Sequence, residues 1–378
     1  MLKPTVETHY PYRADVVGSL LRPQTILQAR IDREQGKISP QELRTIEAKE
    51  ITGAVELQRS VGLKVCTDGD FHRRHWFIDF VERIDGVAFA GGLPARFHNE
   101  DGDIEFSPPR IEVRSKLKRS RALSSDDFIA LKPAADAAGI AAKQCIPSPT
   151  LLHFRGGRAA VDSKAYPDME GFFSDLARVY REEIAALYAA GCRHVQIDET
   201  NLPFMCDPNL QGHLKNIGET RDALIAKYVA LINDCVRDAP ADMAITMHMC
   251  RGNHESSWVA DGGYDPIAEA AFGGLNLRGF FLEYDSPRAG TFAPLRFLTK
   301  GKIAVLGLVT SKRAALESKE DIKRRIDEAA KVIPLAQLAL SPQCGFASTI
   351  KGNRLTMDDQ RKKLELVVGT AKDVWGTV

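Results

Sequence analysis

The sequence predicts an α/β fold: a closed (β/α)8 barrel with a β-hairpin-like insertion after its second strand. Near-continuously apolar, β-branched runs recur eight times along the 378 residues, mostly separated by amphipathic stretches. Parallel strands buried on both faces and joined by helices read in this way. Polar side chains gather just where those runs end, and a barrel carries its chemistry at the C-terminal ends of its strands. An open doubly wound sheet would show a Gly-rich phosphate turn after an early strand, and Gly18-Ser19 lacks that spacing. The length suits one domain, residues 1–378, with an insertion over about 71–125.

Ala14 to Leu20 is the first strand, and Pro23 opens a polar, helix-rich region. A long helix starts at Ser39-Pro40 and runs through Ser60, with Ser at the cap, Pro in the first turn and Glu42 near the positive end. Leu63 to Asp70 is the second strand. From Phe71 to about Ser125 no helical period holds, and the alternation in Arg110-Ile-Glu-Val-Arg114 with Gly91-Gly92 predicts a β-hairpin insertion or lid. Asp126 to Ala138 is a helix, and Ala141 to Pro149 is the third strand, stopped by its prolines. The helix from Pro167 to Ala190 ends at Gly191. Arg193 to Glu199, the run ending at Cys250, Gly279 to Asp285, Lys302 to Thr310 and Gln337 to Gln343 are strands four to eight. Helices over Glu219–Val236, Asp265–Phe272, Ser318–Val332 and Met357–Val374 lie between and after them.

Composition excludes several classes. A formal net charge of +1 gives no electrostatic case for nucleic acid or an anionic membrane. No apolar run approaches the roughly 20 residues a spanning helix needs, and Met1 to Tyr12 has no secretory h-region. The seven cysteines are odd in number, widely spread and mostly inside apolar runs, which suits the reducing cytoplasm.

The chemistry centres on Ile245-Thr-Met-His-Met-Cys-Arg-Gly-Asn253. Residues two apart on a strand face the same side, so His248 and Cys250 project together. An imidazole and a thiol make half of a tetrahedral zinc site. Two later strands end in the same chemistry, with Glu283 on one and Cys344 on the other. Two thiolates keep zinc electron-rich, so a substrate thiolate stays nucleophilic, which favours S-alkylation over water activation. Asp198 and Glu199 are adjacent and point to opposite sides, and alternation puts Asp198 toward the barrel centre. Cys66, Cys145, Cys192 and Cys235 read as core, and Cys206 as a free thiol in a loop. His72, Arg73, Arg74 and His75 read as a solvated basic face or as cations that meet an anionic substrate tail, and Trp76 and Trp258 as mouth-loop aromatics that pack loops or stack on a flat donor.

Taken together, Val17-Gly-Ser19, Thr67-Asp-Gly-Asp70, Gln196-Ile-Asp-Glu199, His248-Met-Cys250, Phe281-Leu-Glu283 and Ser341-Pro-Gln-Cys-Gly345 resemble the cobalamin-independent methionine synthases, in particular the catalytic barrel of their short single-barrel members. The resemblance implies a TIM barrel with zinc on His248, Cys250, Glu283 and Cys344. It implies methyl transfer from 5-methyltetrahydrofolate to homocysteine. It places Ser19, Asp70 and Asp198 around the amino-acid end of that thiol. Asp70 and Asp198 then face an ammonium, and Ser19 a carboxylate. Asp198, Glu199 or a water is left as the acid that protonates the leaving nitrogen. The family motif on strand two usually ends in Glu, one methylene longer than Asp70. Single-barrel relatives also imply other donors, such as a corrinoid or a methylated sulfur compound, and an epoxide with coenzyme M as thiol. A barrel whose zinc is purely structural is the non-catalytic alternative, and the sequence leaves a homo-oligomer open.

Overall fold

A computed structural model describes residues 10–92 and 95–378; most of the Met1–Tyr12 stretch lies outside the described residues. In chain order the strands are β1 (Val65–Cys66), β2 (Asp85–Gly92), β3 (Ala95–Asn99), β4 (Gly102–Phe106), β5 (Pro109–Lys118), β6 (Ala141–Ala142) and β7 (Gln144–Pro147). They continue with β8 (His194–Glu199), β9 (Ala244–Met249), β10 (Gly279–Glu283), β11 (Ile303–Val309) and β12 (Leu338–Pro342). β7 to β12 form one parallel ladder in sequential order, and β1 pairs in parallel with β6. The stretch from Ala14 closes the ring: Ala14 bridges Leu340 on one side, and Leu20 N–H donates to Gly69 O at 3.0 Å on the other.

That first strand is reduced to a single bridge, against the expectation of a full strand over Ala14–Leu20. Side chains from the neighbouring strands take the carbonyls that a ladder would use. Lys143 Nζ donates to Val16 O, and Cys145 Sγ and Gln196 Nε2 donate to Val17 O at 3.2 and 2.6 Å. The backbone groups are satisfied, so nothing forces regular pairing.

The helices fall where apolar periodicity and caps place them. Pro40–Ser60 begins with a full capping box between Ser39 and Glu42. Met169–Ala189 is capped by the Asp168 side chain, and Lys319–Ala330 by Ser318. The expected helix over Asp265–Phe272 is a short α-turn, Asp265–Ala268, that widens into a π-turn over Glu269–Gly273. One large core lies between the strands and these helices; a small second cluster of Tyr10, Val17, Phe281, Ile303, Val305 and Ala339 fills the barrel. Beside it the interior is polar: Lys143 Nζ meets Asp15 Oδ1 at 2.9 Å and Gln196 Oε1 at 3.0 Å.

Residues 85–118 form two antiparallel pairs, β2 with β5 and β3 with β4. The inner hairpin folds over the C-terminal ends of the strands, where His98 and Trp258 exchange backbone hydrogen bonds. Among the described residues no helix is long and apolar enough to cross a membrane.

Candidate metal centre and substrate cavity

Strand register sets the site. Asp198 on β8 pairs with His248 on β9, and His248 with Phe281 on β10, so all three lie at one level of the barrel. His248, Cys250 and Cys344 converge, with one ligand atom from each within 4.8 Å of the others, all buried. Both ring nitrogens of His248 are buried without a hydrogen-bond partner. Such a group is costly to bury and marks an absent acceptor or ion. Hydrogen bonding to Cys250 and the nearby His248 hold the Cys344 thiol well below its ordinary value, while bonding to Cys344 and burial push Cys250 well above. An imidazole and two soft sulfurs with spare lone pairs fit a zinc-like ion.

Glu283 does not join that group. Its Oε2 accepts Arg251 N–H at 2.6 Å, its Oε1 is paired with Arg288, and Lys312 Nζ stands 3.8 Å away. Burial raises its carboxyl, but Lys312, Arg288 and Arg251 overcome that and bring it down to about 2. Lys312 Nζ itself is buried with no hydrogen-bond acceptor.

A cavity of about 710 Å³ opens above the three donors. Ser19, Asp70, Asp198, His248, Cys250 and Cys344 all line it, and Glu283 does not. Burial pushes the Asp198 carboxyl up to about 6 against the pull of His248, the Gln196 amide and Arg73. Gln196 Nε2 donates to Asp198 Oδ1 at 2.7 Å, which ties Asp198 to the Lys143–Asp15 network below. Glu199, its neighbour, is spent on structure: it accepts from Ser148, Thr150 and the N–H groups of Asn201 and Leu202, which open a short helix. Ser19 Oγ accepts Ala347 N–H at 3.2 Å. A Cβ on Gly345 would come within 2.0 Å of that oxygen, so only glycine lets the Cys344 loop approach the first strand.

Of the basic run after strand two only Arg74 is exposed; His72, Arg73 and His75 are buried. Arg73 is buried on the Asp70 carboxylate, and His72 Nδ1 meets Asp68 Oδ2 at 3.0 Å. Asp70 sits at a φ of 61°, the left-handed region, held by Asp68 Oδ1 on its N–H at 2.8 Å and by Arg22 on its carbonyl. Cys206, expected as a loop thiol, is buried at the end of a helical turn. Trp76 lines the cavity, whereas Trp258 packs on the inner hairpin and under Arg288, whose guanidinium carbon is 4.3 Å from its ring.

Residues 163–373 match the family described as Cobalamin-independent synthase, Catalytic domain. The chain is 45% identical to the Bacillus subtilis protein YxjH over 97% of its own length and 95% of that protein's. It belongs to the cobalamin-independent methionine synthase family. A Listeria monocytogenes structure assigned as a vitamin-B12-independent methionine synthase is 38% identical, with a TM-score of 0.77 over 97% of this chain and 98% of the other. A Shewanella B12-independent methionine synthase in complex with selenomethionine shares the fold at 17% identity, with a TM-score of 0.72 over 96% and 97% of the two chains. As a member of the cobalamin-independent methionine synthase family the chain is an enzyme, a methyltransferase on a TIM barrel.

Sequence reasoning passed over two cavity features. Phe97 and Phe106 of the inner hairpin reach the cavity, with Phe106 stacked on His254 at 4.1 Å. Arg155 lines the wall after the third strand. Its signal was an arginine in Phe154-Arg-Gly-Gly-Arg158, a Gly-containing mouth loop directly beyond a strand end.

Proposed function

We propose that this protein is a zinc-dependent thiol methyltransferase that moves a methyl group from 5-methyltetrahydrofolate to the sulfur of homocysteine, giving methionine. One observation carries the reading: an imidazole and two thiols within 4.8 Å open onto a cavity that Asp198 and Ser19 also line. His248, Cys250 and Cys344 would hold the ion, and Glu283 would join them as a fourth donor only on leaving Arg288. Bound there, zinc lowers the pKa of a substrate thiol so that it is a nucleophile at neutral pH. Asp198, oriented by Gln196, opposes the substrate ammonium. Ser19 Oγ, accepting from Ala347, keeps its own proton to donate to the substrate carboxylate. Trp76, Phe97 and Phe106 line the cavity and align the donor. The unit of catalysis is the one barrel, residues 1–378, with the insertion as its roof, and seven free thiols suit the cytoplasm.

The test incubates zinc-loaded protein with homocysteine and 5-methyltetrahydrofolate and follows methionine. Many turnovers are expected; none, at full zinc occupancy, sinks the reading. A specific observation supports a second reading, alkylation of another thiol or use of another donor. Asp70 is already paired with Arg73, which removes one of the two carboxylates expected at the ammonium. Turnover with coenzyme M or with a methylcorrinoid, and none with homocysteine and the folate, selects it.

A further inference from the structure

Among the described residues Arg155 is a cation without a counter-ion. It follows the helical turn Leu151–Phe154 beyond β7 and lines the cavity. Its guanidinium carbon lies 5.3 Å from the centroid of the Phe77 ring. Burial alone acts on it, lowering it to about 10, with no carboxylate near enough to hold it up. The cavity's acids are engaged elsewhere: Asp70 with Arg73, Asp198 with Gln196, Glu199 with Ser148 and Thr150, Asp207 with the N–H groups of Asn209 and Asp261, and Asp261 with Arg288. Against the same Phe77 ring lies His75, 6% exposed, edge-on with centroids 4.6 Å apart. Burial, then the Arg155 charge, drive His75 down to about 3, so it is neutral, and its Nδ1 has no partner.

A protein gains nothing from a half-desolvated, unpaired guanidinium against an aromatic face unless a ligand completes it. We propose that Arg155 and His75 form an oxyanion-binding subsite of the cavity, taking a carboxylate, phosphate or sulfonate of a small organic anion. Arg155 supplies the charge and a planar fork of donors. The neutral His75 ring, which also lines the cavity, supplies an N–H donor at its accessible nitrogen, Nε2, since Nδ1 is sealed from solvent. Asp198 and the metal donors line the same cavity, so it carries both an acidic group and a cationic one. That polarity orients a ligand. On the reading of the cavity as a methyl-transfer site, the anion belongs to the methyl donor.

The experiment measures binding, not turnover. Calorimetry and tryptophan fluorescence, with Trp76 as reporter, follow titration of glutarate, inorganic phosphate and methanesulfonate into the zinc-loaded and the chelator-stripped protein. Glutaramide is the neutral control. At least one anion is expected to bind saturably, one per chain, while glutaramide does not. Arg155→Met should weaken it on the order of tenfold or more, as loss of a charged hydrogen bond implies. Arg155→Lys should retain part of the affinity, and His75→Phe should weaken it several-fold. Arg155→Met takes the guanidinium off the Phe77 ring, so the wild type and this variant are compared at a temperature where calorimetry shows both folded. Absence of anion binding by the wild type, or unchanged binding by the folded Arg155→Met, overturns the proposal. Failure of methyl transfer with the anion site intact would instead count against the proposed reaction alone.

Discussion

Replacing His248 with leucine should leave the chelator-stripped protein as stable as before, or more stable, and abolish its response to zinc. The imidazole is buried and both its nitrogens lack a partner. Each unsatisfied buried polar group costs about 1–3 kcal/mol. Leucine removes that cost and fills a similar volume, so His248→Leu without metal should range from neutral to about 3 kcal/mol more stable. Zinc acts in the opposite direction. At a free concentration 1,000 times its Kd it stabilises the native wild type by about 4.1 kcal/mol. Unfolding entropy of about 2.1 cal/mol/K per residue, over 378 residues, gives roughly 0.8 kcal/mol/K, so zinc should raise the melting temperature by about 5 °C. Scanning calorimetry of both proteins, with chelator and with buffered zinc, reads all four values. A stripped variant that loses more than about 2 kcal/mol, together with an undiminished zinc response, would refute the reasoning, because His248 would then be an ordinary core histidine.

Three further outcomes follow from the buried charges. Asp198 holds its proton up to about 6, so affinity for an amino-acid thiol should fall as pH drops through that value, with bound zinc moving the midpoint lower; Asp198→Asn should raise KM on the order of tenfold and flatten the pH profile of kcat/KM. Lys143 and Asp15 form an ion pair with no exposed side-chain surface. Lys143→Met should cost about 3–5 kcal/mol in urea unfolding, partly restored by adding Asp15→Asn, and a loss below about 1 kcal/mol would contradict this. His72 has its pKa raised: burial opposes the charge, but Asp68 more than offsets it. A raised histidine gives stability that is full below its unfolded pKa of about 6.5 and lost as pH rises through the folded value. The stability gap between the wild type and His72→Asn should therefore narrow from about pH 6.5 upward, and a gap that widens would reverse the assignment.

What the chain discloses before folding follows from how far each interaction reaches. Strand ends were legible because a buried strand alternates strictly, so His248 and Cys250, two residues apart, had to share a side. Cys344 was legible for a related reason: a polarizable thiol closing an apolar run sits at the mouth of the barrel. Helix limits were legible where the cap is local, as at Ser39 with Glu42. Two other readings failed because the deciding partner is a side chain whose direction no periodic pattern fixes. Arg73 and His72 looked solvated as part of a basic run, yet the acids that bury them, Asp70 and Asp68, sit three and four residues back at a strand end. The first strand looked regular, yet side chains from two other strands take its carbonyls. Glu283 shows the same limit at the site itself. Its strand-end position marks it as a donor, but what it donates to depends on Arg288 and Lys312, 5 and 29 residues downstream by their numbers, which carry no periodic signal. A buried carboxylate beside three cations and a metal group has two competing claims on it. On the proposed function, the balance between Arg288 and a bound ion would set whether that ion keeps a position open for a thiol. Arg288→Met tests that balance: releasing Glu283 should tighten zinc and slow thiol exchange at the ion, whereas weaker zinc binding would show that Arg288 supports the site rather than competing with it.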